Sequence, residues 1–369
     1  MRNIQLLIKP ASSLCNLRCG YCFYRDETQH REVASHGIMS QETLELTMRK
    51  ALEAAQESCI IGFQGGEPTL AGLDFYKNVV KLAEKYKKPE TYVGYSLQTN
   101  GILIDDEWLD FLEEHRFWVG LSVDGDRSIH DRNRPDAQGK ETYARTVRVW
   151  KELQRRRIDS TVLCVLTRQS ARRIRSVYEN FKKIDAFQLQ FIPCLDPIGK
   201  ERGGEVYSLT PKLYAEALKT LFDLWFEDLQ KGVGVYIRTF ENYVGILRGE
   251  PPEACAMYGR CSQQNVVEAD GSIYPCDFYA LDEYCQGNIR DTDFEKIHMG
   301  IGSDPFFADA QQRGDDCASC RWYPLCRGGC RRDCFEDAQH VRRNYYCEAY
   351  REFFAYTINR LEYLAGGIR

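Results

Sequence analysis

The sequence has no run of about 18 apolar residues, so no segment reads as a membrane span. It has no basic excess either: 49 Lys and Arg against 54 Asp and Glu leave a net charge of −5, which removes nucleic acid as the default partner. A secretory signal is missing, because the short apolar stretch Ile4–Ile8 is broken at once by Lys9-Pro10. There is no internal repeat and no low-complexity tract. With 43% hydrophobic and 28% charged residues over 369 positions, the chain is large enough for a sizeable core plus a smaller domain. The expected protein is cytoplasmic and, lacking a heptad or a broad apolar stripe, a monomer.

Cysteine is the component in excess. Sixteen in a chain without a signal point to metal or redox chemistry rather than disulfides. Eleven fall in three groups: Cys15, Cys19 and Cys22; Cys255, Cys261 and Cys276; and Cys317, Cys320, Cys326, Cys330 and Cys347. Cys59, Cys164, Cys194, Cys285 and Cys334 are scattered.

Strand-like and helix-like segments alternate through the first 200 residues. Strands are expected over Gln5–Pro10, Cys59–Phe63, Thr91–Gln98, Trp118–Val123, Ser160–Leu166 and Phe187–Ile192. Helices are expected over Ser40–Gln56 (with Ser40 as N-cap), Leu73–Lys87, Asp105–His115, Thr142–Arg156 and Ala171–Lys183. Six β/α units in series predict an α/β fold with a parallel sheet curled into a partial (β/α)6 TIM-like barrel, whose chemistry sits where strands end. The barrel is expected over residues 1–235 and a cysteine-rich domain over 236–369. The second domain should contain an Asp270-Gly271 hairpin between Asn265–Ala269 and Ser272–Tyr274 and end in a helix, Tyr345–Leu364.

Cys15-Asn16-Leu17-Arg18-Cys19-Gly20-Tyr21-Cys22 is a C-x3-C-x2-C triplet. Three thiolates hold three irons of a [4Fe–4S] cube and leave the fourth iron open. An open iron can chelate the amino and carboxylate groups of S-adenosylmethionine (SAM), and an electron from the cube then yields a 5′-deoxyadenosyl radical. Zinc is the competing reading, but it needs four ligands, usually in pairs. The triplet resembles the signature of the radical SAM superfamily. Under that resemblance Gly65-Gly66-Glu67-Pro68 holds the methionine amine, Tyr21 packs beside the cofactor, Ser122 and Arg134 contact the methionine or ribose, and Leu195 the adenine. Taken alone, these would read as a turn, a strand-end cap, a surface charge and a core leucine.

The later cysteines resemble the SPASM extension of such enzymes. The resemblance implies auxiliary cluster I on Cys255, Cys261, Cys276 and Cys330, and auxiliary cluster II on Cys317, Cys320, Cys326 and Cys347, for three [4Fe–4S] clusters in all. A four-cysteine zinc knuckle is the alternative for Cys317 to Cys330. The segments Ile8–Ser13, Phe23-Tyr24, Phe63–Thr69, Ser96–Gly101, Tyr274–Tyr279 and Asn344–Cys347 further resemble the anaerobic sulfatase-maturating enzymes. That family oxidises a cysteine or serine of an unfolded or nascent sulfatase segment, within a Cys/Ser-x-Pro/Ala-x-Arg sequence, to Cα-formylglycine. The implied mechanism removes a Cβ hydrogen with the radical, deprotonates the substrate and passes an electron to an auxiliary cluster.

Asp277, directly after the proposed ligand Cys276, is the candidate base; a turn carboxylate is its plainer reading. Tyr24, Gln64, Gln98 and Asn100 are candidates to hydrogen-bond the substrate peptide. An electron donor such as flavodoxin or ferredoxin is expected. A related SPASM enzyme that crosslinks ribosomally made peptides is the alternative function; the 14 residues before Cys15 leave no room for the precursor-recognition domain such enzymes often carry.

Overall fold

A computed structural model describes residues 1–311, 315–336 and 342–366. They form two compact units, each assembled from separated stretches of chain. The first comprises Met1–Val123, Asp131–Thr161 and Gln263–Asp304; the second comprises Asp124–His130, Val162–Ser262 and the segment from Pro305 onward.

In the first unit β1 (Asn3–Ile8) pairs in parallel with β2 (Ser58–Phe63), β2 with β3 (Tyr92–Thr99), and β3 with β4 (Trp118–Ser122). Helices Gln41–Ala54, Leu73–Tyr86 and Asp106–Glu114 make the crossovers. Their starts are those the sequence marks. Ser40 accepts the Thr43 N–H, and Asp105 accepts that of Trp108. Ile4, Leu6 and Ile8 of β1 are buried, while Phe63, Tyr76, Trp108 and Phe117 pack edge-on and stacked beneath the sheet.

The other edge of β1 is closed by a segment from far along the chain. β8 (Val266–Val267) pairs with it in parallel, and β9 (Ile273–Tyr274) returns antiparallel to β8. The expected hairpin therefore exists, but with shorter strands and a longer turn. Gly271, at φ +91°, donates its N–H to Glu268 O at 2.8 Å, and Asp270 caps Ser272. Glu268 N–H still donates across the hairpin to Ser272 O at 2.9 Å, while its carboxylate meets the buried cations Lys9 and Arg31.

The second unit carries most of β5 (Ser160–Leu166), then β6 (Gln188–Pro193) and a two-residue β7 (Tyr236–Ile237), all parallel. Helices Pro211–Gln230, Arg238–Leu247 and Cys347–Leu364 bury Phe222, Phe240 and Phe353 against one another. No pattern in the sequence marks β7, the helix after it, or the helix Arg127–Asn133. The single expected helix Ala171–Lys183 is two, Arg168–Arg172 and Ile174–Lys183, because Thr167 and Ser170 form a capping box that starts the first one early. Among the described residues, no helix is long and apolar enough to cross a membrane.

Candidate active site

The cysteine loop follows β1 and is held from two sides within the first unit. Gly66, at φ +53°, turns the chain so that the Glu67 N–H reaches Leu14 O at 2.7 Å. On the other side Arg18 N–H donates to Pro135 O at 2.8 Å, Gly20 N–H to Asn133 O at 3.1 Å, and Ala137 N–H to Asn16 O at 3.1 Å. These bonds bring Arg134 onto the loop, where its guanidinium lies 5.5 Å from the Tyr21 ring centroid. Burial pushes the Cys15 thiol up to about 11; the Leu17 N–H opposes it, Glu67 and Cys22 add to it, and Arg134 counters. Cys15, Cys22, Glu67 and Arg134 thus share one electrostatic neighbourhood. Thiols held this far up are deprotonated only when a metal takes the proton's place.

Glu67 is 1% exposed and receives four hydrogen bonds, all from neutral donors. Oε1 accepts from Thr69 N–H, Thr69 Oγ1 and Thr99 Oγ1, and Oε2 from Asn100 N–H at 2.8 Å. Burial raises its pKa, and these bonds counter that shift. Among the described residues it has no cationic partner. A fixed, buried carboxylate beside a cysteine triplet fits an ammonium group brought by a ligand, as SAM would bring. Ser122 is buried at the end of β4. Asn100 Nδ2 donates to Asn16 Oδ1 at 2.8 Å and its Oδ1 accepts the Ile102 N–H, so it ties the end of β3 to the cysteine loop. Gln98 is half-buried on β3, opposite Gly120.

Asp277 lies in the turn after β9, 5% exposed. Its Oδ2 accepts the Tyr24 hydroxyl at 2.6 Å and Gln64 Nε2 at 2.7 Å, while Oδ1 is buried with no hydrogen-bond partner. Burial raises its pKa, against Lys9 and the Tyr24 hydroxyl. The sequence marks Tyr24, Gln64 and Asp277 separately; the structure joins them across more than 200 residues.

A buried charge cluster beneath Asp277 went unread in the sequence. Lys9, 1% exposed, places Nζ 3.5 Å from Glu268 and 3.7 Å from Glu27, and 5.0 Å from the Tyr24 ring centroid. Arg31 donates to Glu268 at 2.9 Å. Burial alone would favour the neutral lysine, but Glu268, Glu27 and Asp277 outweigh it and hold Lys9 above its usual pKa. Burial likewise works against Glu268, yet Lys9 and Arg31 keep it below the usual carboxylate range. Burial pushes Glu27 from 4.5 up to about 8, with Lys9 only partly opposing. Neither Glu27 oxygen has a formed hydrogen bond; the Lys9 ammonium and the Ala280 N–H are the groups that face it.

Glu27 binds its proton more tightly folded than unfolded, so stability should fall as pH rises from about 4.5 to 8. Glu27→Gln removes that slope. Its Tm should gain on wild type progressively between about pH 5 and 8 in anaerobic calorimetry; a gap that stays constant with pH rules the assignment out.

The second unit holds Leu195, half-buried just after β6, and Cys255, Cys261, Cys317, Cys320, Cys326, Cys330 and Cys347; Cys276 belongs to the first. Arg327, Gly328 and Gly329 take left-handed conformations in succession, and Asn344 Nδ2 donates to Gly328 O, which turns the chain from Cys326 back to Cys330. Burial pushes Cys326 up to about 12; the Gly328 N–H opposes this, while Cys347, Cys317 and Cys320 add to it. Those four thiols therefore share one electrostatic neighbourhood, although among the described residues no three His, Cys, Asp or Glu side chains converge closely enough to hold a single metal ion.

Residues 10–180 match the radical SAM superfamily, and residues 255–330 match the SPASM iron–sulfur cluster-binding domain. The chain is 43% identical to the cysteine-type anaerobic sulfatase-maturating enzymes of Clostridium novyi (99% of this chain, 98% of that one) and Clostridium perfringens (100% of both). A serine-type enzyme from Bacteroides thetaiotaomicron is 28% identical over 98% of this chain and 91% of its own. The solved structure of native anSMEcpe with bound AdoMet and Cp18Cys peptide superposes with a TM-score of 0.93 at 43% identity, covering 100% of both chains. Streptococcus suis SuiB, at 19% identity and a TM-score of 0.60 over 90% of this chain and 73% of its own, shares the fold alone. On identity that runs the length of both partners, the chain belongs to the anaerobic sulfatase-maturating enzymes of the radical SAM superfamily.

Proposed function

We propose that this enzyme oxidises a cysteine in an unfolded sulfatase segment to Cα-formylglycine with Asp277 as the base, and that serine is the poorer substrate. The relatives at 43% identity are cysteine-type, whereas the serine-type relative falls to 28%. When bound, SAM and the clusters supply the 5′-deoxyadenosyl radical and the acceptor for the second electron. The substrate loses a Cβ hydrogen atom, then a proton and an electron; the thioaldehyde takes up water and releases hydrogen sulfide.

The observation that carries the reading is Asp277 itself. One oxygen is fixed by Tyr24 and Gln64, and the other is buried, bare and available to accept a thiol proton. Gln98 stands at the end of a neighbouring strand to hydrogen-bond an extended peptide, and Gln64 has a carbonyl left for the same task. Asn100 has a smaller part there, since both its side-chain groups are engaged.

Cys15, Cys19 and Cys22 would hold the radical-generating cluster. Tyr21, Gly65, Gly66, Glu67, Ser122, Arg134 and Leu195 would surround SAM. Cys255, Cys261, Cys276 and Cys330 would hold auxiliary cluster I, and Cys317, Cys320, Cys326 and Cys347 auxiliary cluster II; the mutual repulsion of the last four supports their grouping. The matched spans support a barrel over 1–235 and a SPASM domain over 236–369. The enzyme would act in the cytoplasm as a monomer served by flavodoxin or ferredoxin.

The test is anaerobic incubation with SAM, a reductant and paired peptides carrying Cys-x-Pro-x-Arg or Ser-x-Pro-x-Arg. Mass spectrometry should show the cysteine peptide exchanging sulfur for an aldehyde oxygen, faster than the serine peptide loses two hydrogens. Unchanged peptides beside abundant 5′-deoxyadenosine reject the reading.

A further inference from the structure

We propose that Lys9 is a positioning residue for the oxidation: its ammonium, threaded past Gly65, holds the Tyr24 ring above Glu27 and Glu268 and thereby places the Asp277 carboxylate for proton transfer. The inference rests on Asp277 being the base.

Three independent contacts place Lys9 in this role. Its backbone joins β1 to the hairpin that ends in Asp277, through the Lys9 N–H to Val267 O bond at 2.9 Å. Its Nζ contacts carboxylates from the helix Phe23–Gln29 and from the hairpin turn, Glu27 and Glu268. It also lies 5.0 Å from the centroid of the ring whose hydroxyl donates to Asp277. The ammonium fixes the ring, the ring fixes the hydroxyl, and the hydroxyl fixes the carboxylate. Without it, Glu268 would keep Arg31 alone and Glu27 would lose the ammonium that faces it, an arrangement that relaxes only by movement or by taking up protons.

The same geometry gives Gly65 a second duty. A Cβ there would sit 2.7 Å from both Cγ and Cε of Lys9, inside any permissible contact. The motif's first glycine therefore keeps a channel for the lysine stem, in contrast to Gly66, whose Cβ would meet the backbone of Ser12 and Leu14. Lys9 touches none of the proposed iron ligands in this structure, so its loss can be read separately from cluster loss.

The experiment compares Lys9→Met, Lys9→Arg, Gly65→Ala and Asp277→Asn in reconstituted enzyme with the cysteine peptide. Iron content, peptide Kd with SAM present, kcat and KM are measured, with the ratio of 5′-deoxyadenosine to formylglycine. Lys9→Met should retain iron and peptide affinity, lose kcat rather than KM, and raise the product ratio on the order of 10²-fold, the cost of a misplaced reacting group. Lys9→Arg should recover most of that loss, and Gly65→Ala should shift the ratio in the same direction. If Lys9→Met fails to fold, Lys9→Gln, which keeps most of the stem and removes the charge, decides. An unchanged ratio in the Lys9 variant that folds, or a parallel loss of iron, SAM cleavage and aldehyde, overturns the proposal. If Asp277→Asn still forms aldehyde at the wild-type rate, the underlying assignment of the base fails instead.

Discussion

Asp277→Asn is expected to cut formylglycine formation by about 10²–10⁴-fold, the range a positioned general base contributes, while SAM is still cleaved to 5′-deoxyadenosine. Asparagine keeps the shape of the site. Its carbonyl can still accept from the Tyr24 hydroxyl and Gln64 Nε2, as Oδ2 does now. What changes is the second position, where a bare acceptor oxygen becomes an NH2 group that accepts no proton. The cofactor-side residues Glu67, Arg134 and the cysteine loop share no hydrogen bond with Asp277, so radical generation should continue and become uncoupled from oxidation. Chromatography of 5′-deoxyadenosine beside mass spectrometry of the peptide separates the two steps. Aldehyde at the wild-type rate would remove Asp277 from the mechanism.

Gly66→Ala should be the more damaging change, because it acts one step earlier. A Cβ at residue 66 would lie 2.9 Å from Ser12 O and closer still to Leu14 O, and neither backbone atom can swing aside as a side chain could. Leu14 O already accepts the Glu67 N–H at 2.7 Å, and Leu14 immediately precedes Cys15. To admit the methyl, the cysteine loop must move away from Glu67. The first cluster should then fail to load, lowering iron from about twelve to about eight per chain, and SAM cleavage should fall on the order of 10²-fold or more. Iron analysis with a cleavage assay checks both. Full iron and normal cleavage would show that the loop accommodates a methyl and that Gly66 is a matter of turn preference.

The legibility of this molecule in its sequence follows the range of the interactions involved. β2 to β6 alternate with helices whose starts are marked by single side chains, Ser40 and Asp105, and these signals act over a few residues. The cysteine triplet and Gly65–Glu67 are equally local. The Tyr24–Asp277 bond spans 253 positions and Arg31–Glu268 spans 237, and no periodicity or turn chemistry encodes either. Lys9 illustrates the difficulty best. A lysine at the end of an apolar strand reads as a solvent-facing stop, and only the hairpin folding over it makes it a core residue. β7 was invisible because two residues make no pattern.

The pairing of β1 with β8 also sets a timetable. Val266–Val267 is made roughly 260 residues after Asn3–Ile8, an interval of about 10–50 s at ordinary rates of synthesis. Throughout it one edge of the first strand stays open on the ribosome. The loop that would carry the radical-generating cluster is by then already translated, but the carboxylate that would complete the chemistry is not. Assembly therefore has a direction: Asp277 can meet Tyr24 and Gln64 only after the late-made hairpin docks on β1.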